Sequence, residues 1–125
     1  AKTVVYSSQA PEPIGPYSHA IKSGNLLFVS GQIALDRQTG QLTTSNIKDE
    51  TLKVMANVEA ILKAAGVDFS AIVKTTIFLK DMGNFPIVNE VYGSFFKKSP
   101  PARETVEVSG LPRDVNVEIS CIAEV

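Results

Sequence analysis

The sequence has few of the residues that build metal centres and disulfide bonds. One cysteine, Cys121, and one histidine, His19, occur among 125 residues, and tryptophan is absent. A single cysteine excludes a disulfide within the chain, and it cannot complete a conventional zinc site with only one histidine. No acidic residues are spaced like a calcium-binding loop. We therefore expect no metal, and a reducing compartment fits the cysteine content.

Charge of one sign and long apolar runs are lacking as well. The chain has 12 lysines and arginines against 13 aspartates and glutamates, so its net charge is −1. Such a chain offers no broad positive field to a phosphate backbone, and nucleic acid is not an expected partner. No stretch approaches the ~18 apolar residues that span a bilayer, and the first residues show no charged leader before an apolar run. We expect no membrane partner and a cytoplasmic protein.

The hydrophobic pattern predicts an α+β chain with the element order β-β-β-α-β-α-β-β. Predicted strands cover residues 3–6, 17–22, 25–33, 72–80, 102–108 and 115–124. One helix is expected between Asn46, a good N-cap, and Gly66, which ends it. A second helix begins with Pro86 in its first turn and ends before Pro100. A length of 125 residues suits a single domain with one core.

Two helices can cover only one face of such a sheet. The other face must either be polar enough for water or be covered by further copies of the chain. We expect Arg103, Thr105 and Glu118 on this uncovered face, in a cleft where subunits meet.

One arginine and one glutamate stand on the last two predicted strands. Alternation places Arg103, Thr105 and Glu107 on one face of their strand, while an apolar row on the last strand directs Glu118 away from the core. A guanidinium matches a carboxylate, and a carboxylate can orient or deprotonate water. A cross-strand ion pair on a solvated face gives the same pattern, so spacing alone leaves both interpretations open.

Four segments of the chain resemble the RidA (YjgF-type) family of small imine and enamine deaminases. The segments are Pro101–Leu111 followed by Val117-Glu118-Ile119, Ile14–Ser18, Val29–Ile33, and Val88–Tyr92 with Phe95-Phe96. Together they extend over essentially the entire chain. The resemblance implies a chorismate-mutase-like fold, with one sheet and two helices on one face, and a homotrimer with three ligand clefts between subunits.

The resemblance also implies an activity, the hydrolysis of 2-imino acids released by pyridoxal-phosphate enzymes to 2-keto acids and ammonia. 2-Iminobutanoate and 2-iminopropanoate are the substrates expected. Arg103 would hold the substrate carboxylate, and Glu118 would position a water and move protons. No cofactor is expected, since an imine is already electrophilic. The other expected pocket residues are Tyr17, Ser30, Gly31, Asn89 and Thr105.

Two residues depart from the family pattern. Glu104 stands where a small or apolar residue is usual, and Thr105 stands where many members have cysteine. Alternation points Glu104 to the face opposite Arg103, where a carboxylate is tolerable near a strand end or an interface.

His19 stands where the family often has glutamine, and we interpret it as a solvated or loop residue without a catalytic role. Cys121 is expected to be a small buried residue.

Two other functions stay open at this level. A non-catalytic trimer would bind a 2-keto acid through Arg103 and regulate a partner, and Glu118→Gln would separate binding from turnover. Ribonuclease activity, attributed to some relatives, is disfavoured by the near-neutral charge and by the lack of a general-base histidine in the expected site.

Overall fold

The computed structural model describes residues 1–125 and contains one six-stranded sheet with two α-helices. The strands are β1 (Lys2–Val5), β2 (Ala20–Ser23), β3 (Leu26–Gln32), β4 (Ile72–Leu79), β5 (Ala102–Glu107) and β6 (Val117–Glu124). The helices are α1 (Ile47–Ala64) and α2 (Phe85–Gly93). This confirms the α+β class and the predicted element order.

The first hairpin differs in detail from the prediction. The second strand begins at Ala20 rather than at residue 17, because β1 reaches only to Val5, which pairs with Ala20. Its turn lies at Gly24-Asn25, one residue later than predicted, since Ser23 already pairs with Leu26. Gly24 has φ of 61°, a left-handed conformation that glycine adopts without steric cost.

Both helices begin as the sequence predicts. The Asn46 side chain accepts a hydrogen bond from the Asp49 amide at 2.8 Å, which caps α1. Gly66, with φ of 80°, follows the end of α1. Pro86 lies in the first turn of α2, where its missing N–H costs nothing.

The strand order is β1-β2-β3-β6-β4-β5, with β5 parallel to β4 at one edge and the other pairs antiparallel. The strand β4 therefore separates the strand of Arg103 from the strand of Glu118. These two residues are on successive strands of the chain but not on neighbouring strands of the sheet. A direct cross-strand ion pair between them is excluded within one chain.

The strand register also decides which face each side chain takes. Residues that pair on neighbouring strands share one face of the sheet. Arg103 pairs with Thr75, and Thr105 pairs with Ile77, which pairs in turn with the buried Ile119. Arg103 and Thr105 thus share the helix-covered face, and the expectation that they accompany Glu118 on the uncovered face is wrong. Alternation within each strand was sound, but relative facing also depends on pairing with β4.

The two helices cover the face that carries the apolar rows of β3, β4 and β6. The core packs in two groups, one around Leu27, Val58, Ile61, Leu62 and Cys121, the other around Val54, Met55, Ile77, Val88 and Ile119. The opposite face carries Glu118 and leaves the large apolar side chains of Val4, Phe28 and Val106 exposed.

One carboxylate, that of Glu50 on α1, lies entirely inside this core. One of its oxygens accepts from the Asn116 amide at 2.7 Å and from the Val117 amide at 3.3 Å, and the other accepts from Asn116 Nδ2 at 2.7 Å. Hydrogen bonds to a charged group are among the stronger ones. Glu50 therefore ties α1 to Asn116 and Val117, at the beginning of β6, the strand that carries Glu118.

We expect Glu50→Ala to lower the free energy of unfolding by about 2–5 kcal/mol, because three buried or part-buried N–H groups lose their acceptor and a cavity is left. Glu90→Ala, at an exposed position of α2, is the control and should change it by less than ~0.5 kcal/mol. Urea unfolding at equal protein concentration measures both variants. An equally small change in the free energy of unfolding for both variants would mean that water replaces the Glu50 carboxylate without loss of stability.

Candidate active site

Four of the predicted site residues line one cavity of about 380 Å³ on the uncovered face of the sheet. We call it the Glu118 pocket. Its walls are formed by Ile14, Tyr17, Ser30, Gly31, Ile33, Pro112 and Glu118. The sequence predicted Tyr17, Ser30, Gly31 and Glu118 as site residues, and it missed Ile14, Ile33 and Pro112.

An irregularity in β3 brings Gly31 against Glu118. The pairing of β3 with β6 shifts register between Val29 and Gln32, so Ser30 and Gly31 lie outside the regular ladder. A Cβ on Gly31 would overlap Glu118 Oε2 and would lie 2.9 Å from Glu118 Cδ. Only glycine permits this approach, so the identity of residue 31 is tied to the position of the carboxylate.

Ser30 and Tyr17 have different tasks in the wall of this pocket. Ser30 Oγ donates to the Ser18 carbonyl at 2.6 Å, and the Ser30 amide donates to the His19 carbonyl at 2.9 Å. Ser30 therefore joins β3 to the segment of Ser18 and His19, and its hydroxyl proton is not free for a ligand. Tyr17 is half exposed, and its hydroxyl accepts a long hydrogen bond of 3.4 Å from the Ile14 amide. That hydroxyl keeps its proton for another acceptor.

The Glu118 carboxylate forms no hydrogen bond and no ion pair within the chain. It is partly buried, and burial raises the pKa of this carboxyl above its ordinary value. A carboxylate with a raised pKa accepts a proton more readily than a solvated one. Glu118 is thus a free, desolvated base beside an open cavity.

Arg103 lies in a second group of residues, on the other face of the sheet, which we call the Arg103 cluster. Arg103 Nη1 donates to Asn89 Oδ1 at 2.8 Å. The guanidinium carbon lies 5.1 Å from the ring centre of Tyr92 and 5.6 Å from that of Phe85, distances at which a cation is attracted to an aromatic face. Arg103 has no carboxylate partner in the chain, so its charge is available to an anion.

Thr105 completes the Arg103 cluster with a group that has no partner. It lines an open cavity of about 330 Å³ with Met82, Phe85 and Arg103. Its Oγ1 is buried and is the one buried side-chain polar atom without a hydrogen bond. Such unsatisfied groups are rare in folded proteins and call for an explanation, and a ligand is one.

The predicted site residues therefore form two groups that do not meet within one chain. One group is Tyr17, Ser30, Gly31 and Glu118, and the other is Asn89, Arg103 and Thr105. The sequence missed Phe85 and Tyr92 in the second group. Their spacing was a usable signal, because Phe85, Asn89 and Tyr92 recur at four and three residues and so share one face of α2.

Three further expectations can be compared with the structure. His19 is buried rather than solvated, because both of its ring nitrogens bond to backbone groups of the preceding loop. Cys121 is buried, as predicted, and burial raises the pKa of its thiol to about 12. Glu104 points away from Arg103, as predicted, where it accepts from Thr76 Oγ1 at 2.7 Å and pairs with Lys74 at 3.0 Å.

No three side chains of histidine, cysteine, aspartate or glutamate are grouped closely enough to hold a metal ion. Neither α1 nor α2 combines the length and the apolar character that a membrane span requires.

We expect Gly31→Ala to displace the Glu118 carboxylate while leaving the fold intact. The methyl group needs the space of that carboxylate, and the end of an unbonded glutamate side chain can rotate away at little cost. Gly110→Ala is the control, because a Cβ there meets nothing within 4 Å. Crystal structures and urea unfolding of both variants provide the measurement. An unmoved Glu118 in the Gly31→Ala structure would contradict the close approach.

The chain is similar to known proteins over nearly its whole length. A family model described as Endoribonuclease L-PSP matches residues 7–125. RutC family protein PH0854 of Pyrococcus horikoshii is 52% identical over 122 residues, which are 98% of this chain and 97% of that protein. The 2-iminobutanoate/2-iminopropanoate deaminase of Mus musculus is 43% identical, over 98% of this chain and 90% of that protein. The structure of E. coli TdcF with bound serine superposes with a TM-score of 0.94 at 37% identity and covers 98% of both chains. By these matches over nearly its whole length, the chain belongs to the RidA (YjgF-type) family of reactive imine deaminases.

Proposed function

We propose that this protein hydrolyses 2-imino acids, such as 2-iminobutanoate and 2-iminopropanoate released by pyridoxal-phosphate enzymes, to 2-keto acids and ammonia. One observation carries the proposal: Arg103 and the partly buried carboxylate of Glu118 each lack an ion-pair partner in the chain, and each lies at an open cavity. A substrate with a carboxylate next to an electrophilic carbon needs one group of each kind. The assignment is supported by one relative named 2-iminobutanoate/2-iminopropanoate deaminase and by another named Reactive Intermediate Deaminase A.

The working site is proposed to form between two copies of the chain. Arg103 and Glu118 are on opposite faces of the sheet, so one copy cannot bring both to a small substrate. A neighbouring copy can place its Arg103 cluster over the Glu118 pocket of the first. Two features favour such an assembly: the exposed apolar side chains on the uncovered face and the unpartnered Thr105 hydroxyl. A closed ring of three copies, as expected for this family, gives three such clefts.

In this cleft Arg103 holds the substrate carboxylate by a two-pronged charged hydrogen bond, with the guanidinium kept in place by Asn89 and the Phe85 and Tyr92 rings. Holding the carboxylate fixes the imine carbon relative to Glu118. The Gly31 and Thr105 backbone groups complete the cradle. No residue here needs a cofactor, because the substrate carbon is already electrophilic.

Glu118 then handles water and protons. As the water oxygen adds to the imine carbon, the carboxylate accepts a proton from that water, and a carbinolamine forms. The same carboxyl returns the proton to the nitrogen. The carboxylate next takes the hydroxyl proton of the carbinolamine and passes it to the amino nitrogen, so the C–N bond breaks, the hydroxyl oxygen becomes the keto oxygen and ammonia leaves. The desolvated surroundings of Glu118 suit this exchange, because they bring its proton affinity closer to that of the groups it serves.

A second candidate is a trimer that binds a small carboxylate without converting it. A family member has been solved with bound serine, and Arg103 with Asn89 would be sufficient for such binding. The two functions differ at Glu118, since a binding site has no need for a free base. A deaminase with Glu118→Gln keeps its affinity for a 2-keto acid and loses turnover, whereas a binding protein shows no turnover in either form.

The family model is described as an endoribonuclease, but the site does not favour that activity. The one histidine is buried and bonded to backbone at both nitrogens, so it cannot serve as general acid or base. A net charge of −1 offers little attraction for RNA.

The proposal is tested by coupling a threonine dehydratase to this protein in the presence of semicarbazide, which traps the short-lived imine. We expect the protein to suppress semicarbazone formation, and Arg103→Ala to lower kcat/KM by about 100-fold through loss of the charged contact. Lys48→Ala, which removes an exposed cation on α1, is the control and should be as active as the wild type. No suppression by wild-type protein, with imines from several amino acids, would refute the deaminase.

The shared cleft makes a separate prediction about mixed assemblies. We expect Arg103→Ala and Glu118→Gln each to have little activity alone. When they are unfolded together and refolded at equal amounts, about one cleft in four should join an intact Arg103 cluster to an intact Glu118 pocket. Activity should therefore return to about a quarter of the wild-type value. Each variant refolded alone is the control. A mixture no more active than the two variants refolded separately would show that Arg103 and Glu118 of different subunits do not share a cleft.

A further inference from the structure

The segment between β1 and β2, residues 6–19, brings two walls of the Glu118 pocket into place. We call it the N-terminal loop. It carries Ile14 and Tyr17 to the rim, where their side chains are 69% and 48% exposed. Side chains this exposed are not held by their own packing. Their position depends on whatever fixes the backbone of the loop.

His19 makes the contacts that fix it. The ring is only 1% exposed and stacks on Tyr6, with 5.1 Å between ring centres. Nδ1 accepts from the Ser7 amide at 3.1 Å, and Nε2 donates to the Pro11 carbonyl at 2.6 Å. An amide can only donate and a carbonyl can only accept, so these partners assign a neutral ring with its proton on Nε2. One side chain next to β2 thus holds both ends of residues 7–11.

Arg37 holds the same part of the loop from the other side. Its Nη1 donates to the Ala10 carbonyl at 2.7 Å, and Nη2 contacts the Tyr6 hydroxyl at 2.8 Å and the Glu12 carboxylate at 2.9 Å. Arg37, Glu12 and Tyr6 are the charged and titratable groups around His19. None of them bonds to its ring nitrogens, so the two backbone contacts depend on His19 alone.

We propose that His19 is a positioning residue for the substrate pocket. By holding residues 7–11 against the sheet, it sets the path of the residues that follow and so places Ile14 and Tyr17 over the cavity. It does not touch the substrate and it moves no proton. A residue that only fills the core could be replaced by any side chain of similar volume. The role of His19 requires one acceptor for the Ser7 amide and one donor for the Pro11 carbonyl.

This difference defines the variants. Glutamine can accept through Oε1 and donate through Nε2, so His19→Gln can keep both contacts. His19→Leu fills the space but keeps neither contact. The functional readout rests on the proposed deaminase, so a readout that needs no activity is measured in parallel.

We expect His19→Leu to raise KM by about 10-fold with little change in kcat, because Ile14 and Tyr17 line the pocket while Arg103 and Glu118 carry the reaction. His19→Gln should restore KM to near the wild-type value. In amide hydrogen exchange, the Ser7 amide should be protected in wild type and His19→Gln, and unprotected in His19→Leu. An unchanged KM in His19→Leu, or a Gln variant as impaired as the Leu variant, would overturn the proposal.

A third measurement covers the case in which His19→Leu fails to fold. Nitrogen-15 NMR of the wild-type protein at neutral pH should show the His19 ring neutral, with its proton on Nε2. A ring protonated on Nδ1 would overturn the assignment. If the wild type does not hydrolyse imines at all, the proposed function fails, while the exchange and NMR results still decide whether His19 holds the loop.

Discussion

The alternation of side chains along β6 is the constraint on which the rest of this structure depends. One row of that strand packs under the two helices, and the other row, with Glu118, faces away from them. β6 lies between β3 and β4. Its pairing with β3 places Glu118 beside Gly31, and its pairing with β4 puts β4 between Glu118 and β5. The buried Glu50 carboxylate bonds the first residues of β6 to α1, so this register is tied to the helical layer as well.

Arg103 and Glu118 are both left without an ion-pair partner by this arrangement. Glu118 is partly buried without a partner, which costs free energy, and uncompensated groups of this kind cluster at functional sites. Arg103 is held by an amide and two aromatic rings, which orient it without neutralising it. Glu118 has no hydrogen bond at all and is kept near the backbone by the absence of a side chain at Gly31. The two charges lie on different faces of the sheet, and neither is neutralised within the chain.

The sequence was informative about what each element is and poor at relating one strand to another. The α1 cap, the Pro86 start of α2 and the inward row containing Cys121 all follow from local rules. The facing of Arg103 relative to Glu118 does not, because it depends on β4 being inserted between β5 and β6, a long-range choice that no local pattern records. His19 was misjudged for a similar reason. Its burial comes from bonds to Ser7 and Pro11, and the sequence shows neither contact.

The placement of Arg103 and Glu118 on opposite faces also has a genetic meaning. In the proposed assembly every subunit gives its arginine to one cleft and its glutamate to another. Each copy therefore takes part in two sites, and a copy defective in both residues disables two of the clefts in its ring. When such a copy and the normal copy assemble in equal amounts, about a quarter of the clefts stay intact in the proposed ring, instead of the half that independent subunits would keep. A change in one copy therefore lowers the activity of clefts that it shares with normal neighbours.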